Sequence, residues 1–219
     1  MSLTLVVGSK NYSSWSMRAG VALSHCGVPY DEIVIPLDGP DTPQRIADYS
    51  RAGRVPVLID GENTIWDSLA IIEYLAEKSP ESQLWPSDPM ARAIARSVSA
   101  EMHAGFTNLR TELPMNCRRR YEGFHISDLV ARDIDRICEI WRETRSRFGQ
   151  RQNGEFLFGP FGGADAMFAP VASRFVTYGV STDATAAAYV DSLLKSPAVK
   201  TWMDAAHTEP TIERYEFEI

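Results

Sequence analysis

Cysteine is scarce in this chain: three in 219 residues, at Cys26, Cys117 and Cys138. An odd number without metal-ligand spacing fits buried thiols in a reducing compartment better than a disulfide framework. The histidines, His25, His103, His125 and His207, show no metal spacing either, so no metal is expected. Positive charge is in deficit. Twenty-two Lys and Arg against 29 Asp and Glu leave a net charge of −7, which argues against general nucleic-acid or anionic-membrane binding. The one basic run, Arg118-Arg119-Arg120, reads as a solvated face. Long apolar runs are missing. The most apolar late stretch, residues 156–176, is broken by Pro160, Gly162, Gly163, Asp165, Pro170 and Arg174, so it is not expected to span a membrane. Residues 1–7 lack the basic start and long apolar centre of a signal peptide, and the expected setting is the cytoplasm. No phosphate loop, Ser-His-Asp order, repeat or low-complexity tract is present.

What remains is ordinary globular composition, 44% hydrophobic and 23% charged, enough for one domain or two small ones. Residues 3–7 read as a buried strand, residues 15–26 as a helix stopped by Gly27, and residues 32–35 as a second strand. Residues 38–53 are mixed and weakly helical. Residues 57–59 and 64–66 flank Asp60-Gly61-Glu62-Asn63, a hairpin signature, and a helix follows over 69–77. The order β-α-β then β-β-α predicts one mixed four-stranded sheet covered by helices. Prolines and serines at 78–80 and 84–89 mark a linker, after which the chain reads as helices. Asp88 caps the first of these with Pro89 at its first position. Ala91, Ile94, Ala95, Val98, Met102, Phe106 and Leu109 form one stripe, predicting a single helix through 109. Ser127 caps a second, with the stripe Leu129, Val130, Ile134, Ile137, Cys138, Ile140 and Trp141. Further helices are expected over 164–178 and 185–195 and from Pro197. The expected division is an α/β domain over 1–79, a linker over 80–88 and an all-α domain over 89–219.

Three places carry chemistry. Asp67-Ser68 opens a helix, whose N-terminus presents unpaired N–H groups and partial positive charge and can hold a carboxylate; the same pair also reads as a simple cap. Val55-Pro56 reads as the start of an edge strand, or as a backbone edge left free for a peptide-like ligand. Ser13 and Ser14 stand where the first strand hands over to the first helix, where one caps the helix or donates to a bound thiolate. A free thiol has a pKa near ~8.5, and lowering it by ~2 units takes roughly 2.7 kcal/mol of preferential stabilisation of the anion. One charge-assisted hydrogen bond plus a helix N-terminus supplies that order. Together these features suggest a site for a small acidic peptide carrying a thiol.

The chain resembles the cytosolic glutathione transferase superfamily over essentially its whole length. The resemblance rests on Val55-Pro56, on Asp67-Ser68-Leu69-Ala70-Ile71-Ile72-Glu73-Tyr74-Leu75, and on Gly163-Ala164-Asp165-Ala166-Met167-Phe168-Ala169-Pro170. Residues 11–18 are most similar to bacterial and zeta-like members that use serine. The resemblance implies a thioredoxin-like domain with a mixed four-stranded sheet, a helical bundle domain, and glutathione as co-substrate. It places the thiol-activating hydroxyl at Ser13, with Ser14 the near alternative and Tyr12 a third. It implies a cis Val55–Pro56 bond, with the Val55 backbone pairing the cysteinyl unit. Ser68 would bind the γ-glutamyl carboxylate and Asp67 its ammonium. Arg54, and more weakly Lys10, would face the glycyl carboxylate. Asn11, Met102, His103, Phe106 and Arg110 would border the second substrate. Asp165 is expected to serve folding, with Gly162 replacing the hydroxyl residue that usually caps its helix. Cysteine is absent at the thiol-activating position, which disfavours disulfide exchange; Cys26 reads as a packed thiol. The implied function is glutathione transfer to a small electrophile in detoxification by a cytoplasmic homodimer. The alternatives are a cis–trans isomerase of the maleylacetoacetate type, whose acid substrate would meet Arg110 or one of Arg118–Arg120, and a non-catalytic transferase-like binding module.

Overall fold

The computed structural model describes residues 3–152 and 154–216; the extreme ends of the two expected domains, 1–2 and 217–219, lie outside these. Strands β1 (Leu3–Gly8), β2 (Tyr30–Ile35), β3 (Val57–Asp60) and β4 (Asn63–Trp66) form one sheet in the order β2-β1-β3-β4. β1 pairs in parallel with β2 and antiparallel with β3, and β3 pairs antiparallel with β4. Strands antiparallel to the same neighbour run the same way. β1 and β4 therefore end at the same edge of the sheet, and the helices that follow them, α1 (Ser14–Cys26) and α3 (Ser68–Lys78), both begin there. The hairpin turns at Gly61, with φ +60°, where an L side chain would be strained.

Alternation along the strands fills both faces. Leu3, Leu5, Val7 and Leu58 join the main core with Met17, Ile71 and Ile72, while Val6, Ile35 and Val57 pack with Ile46 of α2 (Thr42–Ala47) on the other face. A sheet covered on both sides explains why β1 reads as a continuous apolar run.

The remaining helices are α4 (Pro89–Ala104), α5 (Thr107–Glu112), α6 (Asp128–Thr144), α7 (Gly163–Thr177), α8 (Ala184–Lys195) and α9 (Pro197–His207). Asp88 accepts the Ala91 N–H at 2.7 Å and Ser127 that of Val130 at 3.3 Å. The expected helix through 109 is broken. Gly105 is extended at φ −97° and ψ −165°, and Phe106 is left-handed at φ +55°, so Met102 and His103 lie on α4 and Arg110 on α5. The apolar spacing survives the break because Phe106 and Leu109 still turn inward. Leu129, placed in the α6 stripe from spacing, is instead 51% exposed at the start of that helix. Cys26, Cys117 and Cys138 are all free thiols, and burial pushes both Cys117 and Cys138 up to about 11. No helix among the described residues is long and apolar enough to cross a membrane.

α1 is the keystone of the contact between the two halves, packing against α3, α7 and α9. Its Gly20 lies so close to α9 that a Cβ there would stand 2.2 Å from the Trp202 ring. Asp165 ties the start of α7 to its surroundings. One carboxyl oxygen accepts the Leu157 N–H at 3.2 Å and the Tyr189 hydroxyl at 2.7 Å, and the other accepts the Gly162 N–H at 2.9 Å. With glycine as cap, only this half of the usual reciprocal pair exists.

Burial pushes the Asp165 carboxyl up to about 6, against the hydrogen bonds that pull it down. The fold therefore favours the protonated acid. That contribution is full below the unfolded carboxylate range and is lost as pH rises through about 6. Asp165→Asn mimics the neutral acid. Denaturant unfolding at pH 4 and pH 7 is expected to show the wild type losing stability relative to this variant, by on the order of 2–3 kcal/mol. Asp165→Ala leaves two N–H groups and a hydroxyl unpaired and is expected to cost about 3 kcal/mol or more at either pH.

Candidate functional site at the shared helix edge

A cleft of about 760 Å³ opens where α1 and α3 begin, lined by Tyr12, Ser13, Ser14, Trp15, Leu37, Arg54, Val55, Pro56, Trp66, Asp67, Ser68 and His103 among others. That is the size that holds a small ligand.

Ser13 is the N-cap of α1. Its Oγ accepts the Ser16 N–H at 3.4 Å and shares a 2.8 Å hydrogen bond with the Ser16 hydroxyl. Ser16 Oγ also accepts the Gly8 N–H at 3.0 Å. Hydroxyl protons rotate to suit their partners, so Ser16 can donate to Ser13 and leave the Ser13 proton for the cleft. Ser14 opens the first turn, and its hydroxyl bonds to no described residue. The capping and chemical readings of Ser13 are thus compatible in one side chain.

Opposite lies the Val55–Pro56 bond, which is cis. The Val55 N–H and C=O are taken by no described residue. Arg54 beside it is exposed and without an ion pair. At the third wall, Asp67 caps α3, its Oδ1 accepting the Leu69 N–H at 2.9 Å. The Asp67 backbone is strained at φ +75° and ψ +131°, a conformation that persists only when its surroundings hold it. Asp67 Oδ2 stands 3.4 Å from His103 Nε2, and the His103 ring meets Trp15 edge-on at 5.1 Å. Ser68 is fully buried, and its hydroxyl has no partner. A buried hydroxyl left unpaired is costly, and it points to a ligand atom as the missing partner.

Beside the cleft is a hollow of about 290 Å³, lined by Ser14, Trp15, Thr107, Arg110, Thr111 and Arg174. Arg110 lies over the Trp15 ring at 5.5 Å, and the buried Arg18 lies 4.4 Å from the same ring. Arg18 keeps Nε and Nη1 without acceptors. Among the described residues, no carboxylate comes within ion-pair distance of Arg18, Arg110 or Arg174. Desolvation, with the other two guanidinium groups, pulls Arg18 down to about 9, and desolvation pulls Arg174 down to about 10. All three remain cations at neutral pH.

Several expected site residues are buried elsewhere or engaged by other partners. Asn11 is fully buried and locked, donating to Asn116 Oδ1 at 3.0 Å and accepting the Arg118 N–H at 3.2 Å, and it lines neither cavity. Tyr12 lines the cleft, but its hydroxyl donates to Glu216 at 2.6 Å and accepts from Arg118 and the Ile212 N–H. Burial and then Glu216 raise its pKa, and its proton is directed at Glu216. Met102 and Phe106 are buried in the core and line neither cavity. Lys10 pairs with Glu32, away from the cleft. Arg119 and Arg120 are exposed, as a solvated face requires, but Arg118 is half-buried and holds the backbone at 209, and Arg119 also pairs with Glu216. Arg174 of the hollow and the buried Arg18 were missed in the sequence because each sits within an apolar helix as an isolated charge. That isolation was the available signal, since buried arginines are rare.

Residues 12–78 match the family model described as glutathione S-transferase, N-terminal domain. The whole fold matches a glutathione transferase homologue from Burkholderia, solved with bound glutathione, at TM-score 0.72. That match covers 95% of this chain and 100% of the other, with 23% identity. Residues 12–78 are thus similar to the glutathione S-transferase N-terminal domain, and the fold of the whole chain is that of the glutathione transferase homologue. Among curated relatives, a probable maleylacetoacetate isomerase of Caenorhabditis elegans is 35% identical over 97 residues, which is 44% of this chain and 45% of that protein. The maleylacetoacetate isomerase of Rattus norvegicus is 38% identical over 102 residues, 45% and 47% of the two chains. A zeta-class glutathione S-transferase of Euphorbia esula is 39% identical over 83 residues, 37% of each. These matches span under half the length of the relatives.

The cap role of Ser13 has a direct readout. Ser13→Ala is expected to lower unfolding free energy by about 1 kcal/mol through loss of the α1 cap, while Ser14→Ala stays within about 0.5 kcal/mol of wild type. Chemical denaturation at constant m-value distinguishes the two.

Proposed function

We propose that the protein is a cytoplasmic glutathione transferase, binding glutathione in its α/β half and presenting the ionised thiol to a small electrophile. The observation that carries this reading is the convergence on one cleft of the unpaired Val55 backbone and Ser68 hydroxyl with the Asp67 carboxylate and the Ser13 hydroxyl. The Val55 N–H and C=O match a peptide unit. Ser68 at the α3 N-terminus matches the γ-glutamyl carboxylate, and Asp67 the ammonium. Arg54, exposed beside Val55, matches the glycyl carboxylate. Ser13, backed by Ser16 and Gly8, donates to the sulfur and favours the thiolate, which is the nucleophile. The proposed division puts the α/β domain at 1–79 and the helical domain after the linker at 80–88; assembly as a homodimer belongs to the same reading.

A second reading has a specific observation in its favour. The hollow beside the thiol position is walled by Arg110 and Arg174 with Arg18 behind, a cationic surface without carboxylate partners. Such a wall suits an acid. Thiol addition to a conjugated acid, rotation about the resulting single bond and expulsion of the thiol would give cis–trans isomerisation without consuming glutathione.

Calorimetry with glutathione and ultraviolet titration of the bound thiolate test the first reading. Ser13→Ala is expected to keep glutathione affinity within a few-fold while losing the thiolate signal below neutral pH. An unchanged titration transfers the role to Ser14. Absence of glutathione binding at millimolar concentration favours a non-catalytic module. For the second reading, Arg110→Ala is expected to raise KM about tenfold for a conjugated carboxylic acid and to leave KM for a neutral electrophile within threefold. Product analysis shows whether an isomer returns with glutathione unspent.

A further inference from the structure

The loop that carries the two serines into α1 is held from outside the sheet. The Ser9 carbonyl accepts the N–H groups of Tyr12 and Ser13 at 3.1 and 2.8 Å, a tight turn that sets the direction of α1's first residues. Just before that turn, the N–H groups of Lys10 and Asn11 both point to one carboxylate. Glu209 Oε1 accepts from Lys10 at 2.8 Å and Oε2 from Asn11 at 2.9 Å. The carbonyls of the same two residues accept from Trp202 Nε1 at 3.1 Å and from the Cys117 N–H at 3.3 Å. Both peptide units of the loop are therefore satisfied by residues after position 115.

Glu209 is itself fixed, because Arg118 Nη1 donates to its carbonyl at 2.5 Å. One step along, Glu216 accepts the Tyr12 hydroxyl at 2.6 Å, Asn116 Nδ2 at 3.1 Å and Arg119 Nε at 2.5 Å. The Tyr215 ring packs on that of Tyr12 at 5.2 Å. Arg214 donates to the carbonyl of Leu37, a cleft residue whose own N–H donates to Ser9 Oγ at 3.2 Å. Burial raises the Glu216 carboxyl, but the Tyr12, Arg119 and Asn116 hydrogen bonds outweigh it and hold it below the usual range.

We propose that segment 209–216 is a clamp on the thiol-activating loop, with Glu209 and Glu216 as positioning residues that set the acidity of the bound thiol rather than the affinity for glutathione. The inference rests on the glutathione reading of the cleft. Its physical basis is a separation of duties. The groups assigned to the peptide backbone and γ-glutamyl end, Val55, Asp67 and Ser68, lie on the β3 and α3 side and make no hydrogen bond to the clamp. The hydroxyl assigned to the sulfur lies three residues beyond Lys10, on the turn the clamp holds. A hydrogen bond to a thiolate is short-ranged, and displacement by about 1 Å is enough to cost on the order of 100-fold in rate. Loosening the loop should therefore lower kcat and leave the affinity.

The test uses the full chain as wild type, Glu209→Ala, Glu209→Gln and Glu216→Ala. Glutathione affinity is read by calorimetry, the thiol by ultraviolet titration, and the fold by thermal melting. Glu209→Ala and Glu216→Ala are expected to bind glutathione within threefold of wild type. Their thiol pKa rises by about one unit, from ~6.5 to ~7.5, a roughly threefold smaller thiolate fraction at neutral pH, and kcat falls in step with KM for glutathione unchanged. Glu209→Gln keeps an acceptor oxygen and is expected to recover most of the loss. In the wild type, hydrogen exchange at the Lys10 and Asn11 amides is expected to be protected. Free exchange there overturns the clamp without any variant. Unchanged titrations in both alanine variants overturn the inference alone, as does affinity falling in proportion to acidity. A wild type that binds no glutathione overturns the reading beneath it and the inference together.

Discussion

Everything in the site depends on two helix N-termini meeting at one edge of one sheet. The meeting is imposed by strand direction. β1 and β4 are each antiparallel to β3, so they run the same way, and the chain leaves both at the same edge. Each exit opens a helix, capped by Ser13 in one case and Asp67 in the other. Helix N-termini carry unpaired donors and partial positive charge, so two of them facing one cleft favour anionic groups there. The cis Val55–Pro56 segment closes the third side. A carboxylate at one helix start and a sulfur anion at the other fit this field.

The helical half is more than a cover. α1 lies between α3 of the first half and α7 and α9 of the second, and the close approach of Gly20 to Trp202 leaves no room for a side chain between α1 and α9. The Trp202 indole then reaches the Lys10 carbonyl. Packing and hydrogen bonding thus converge on the same short loop. Three arginines set the character of the second compartment. Arg18 keeps two unpartnered N–H groups, which in a buried guanidinium is costly and is offset if an anion enters the neighbouring hollow.

Much of the fold was legible in residue order because local chemistry and global architecture agree. The apolar run of β1, the Asp-Gly hairpin, Gly27 after α1 and Asp88-Pro89 before α4 each have the conformation their residue types favour. The break at Gly105 was hidden because Phe106 and Leu109 keep the inward spacing across it. The cleft residues near 13, 55 and 67 were also legible, since each sits at a strand or helix end with a recognisable chemical type. The ties of Asn11, Tyr12, Arg118 and Arg119 were hidden for one physical reason. Their partners lie about 100 to 200 positions away, at Asn116, Glu209 and Glu216, and no periodicity reports such pairs. Arg18 and Arg174 belong to the same class, as charges whose roles appear only when α1, α5 and α7 are brought together.

The most direct measurement is a crystal structure of the protein with glutathione. The account predicts the γ-glutamyl carboxylate on the α3 N-terminus at Ser68 and the cysteinyl backbone paired with Val55. The sulfur should lie within hydrogen-bond reach, about 3–3.5 Å, of Ser13 Oγ. A tripeptide bound with its sulfur turned away from both Ser13 and Ser14, or seated outside this cleft, would contradict it.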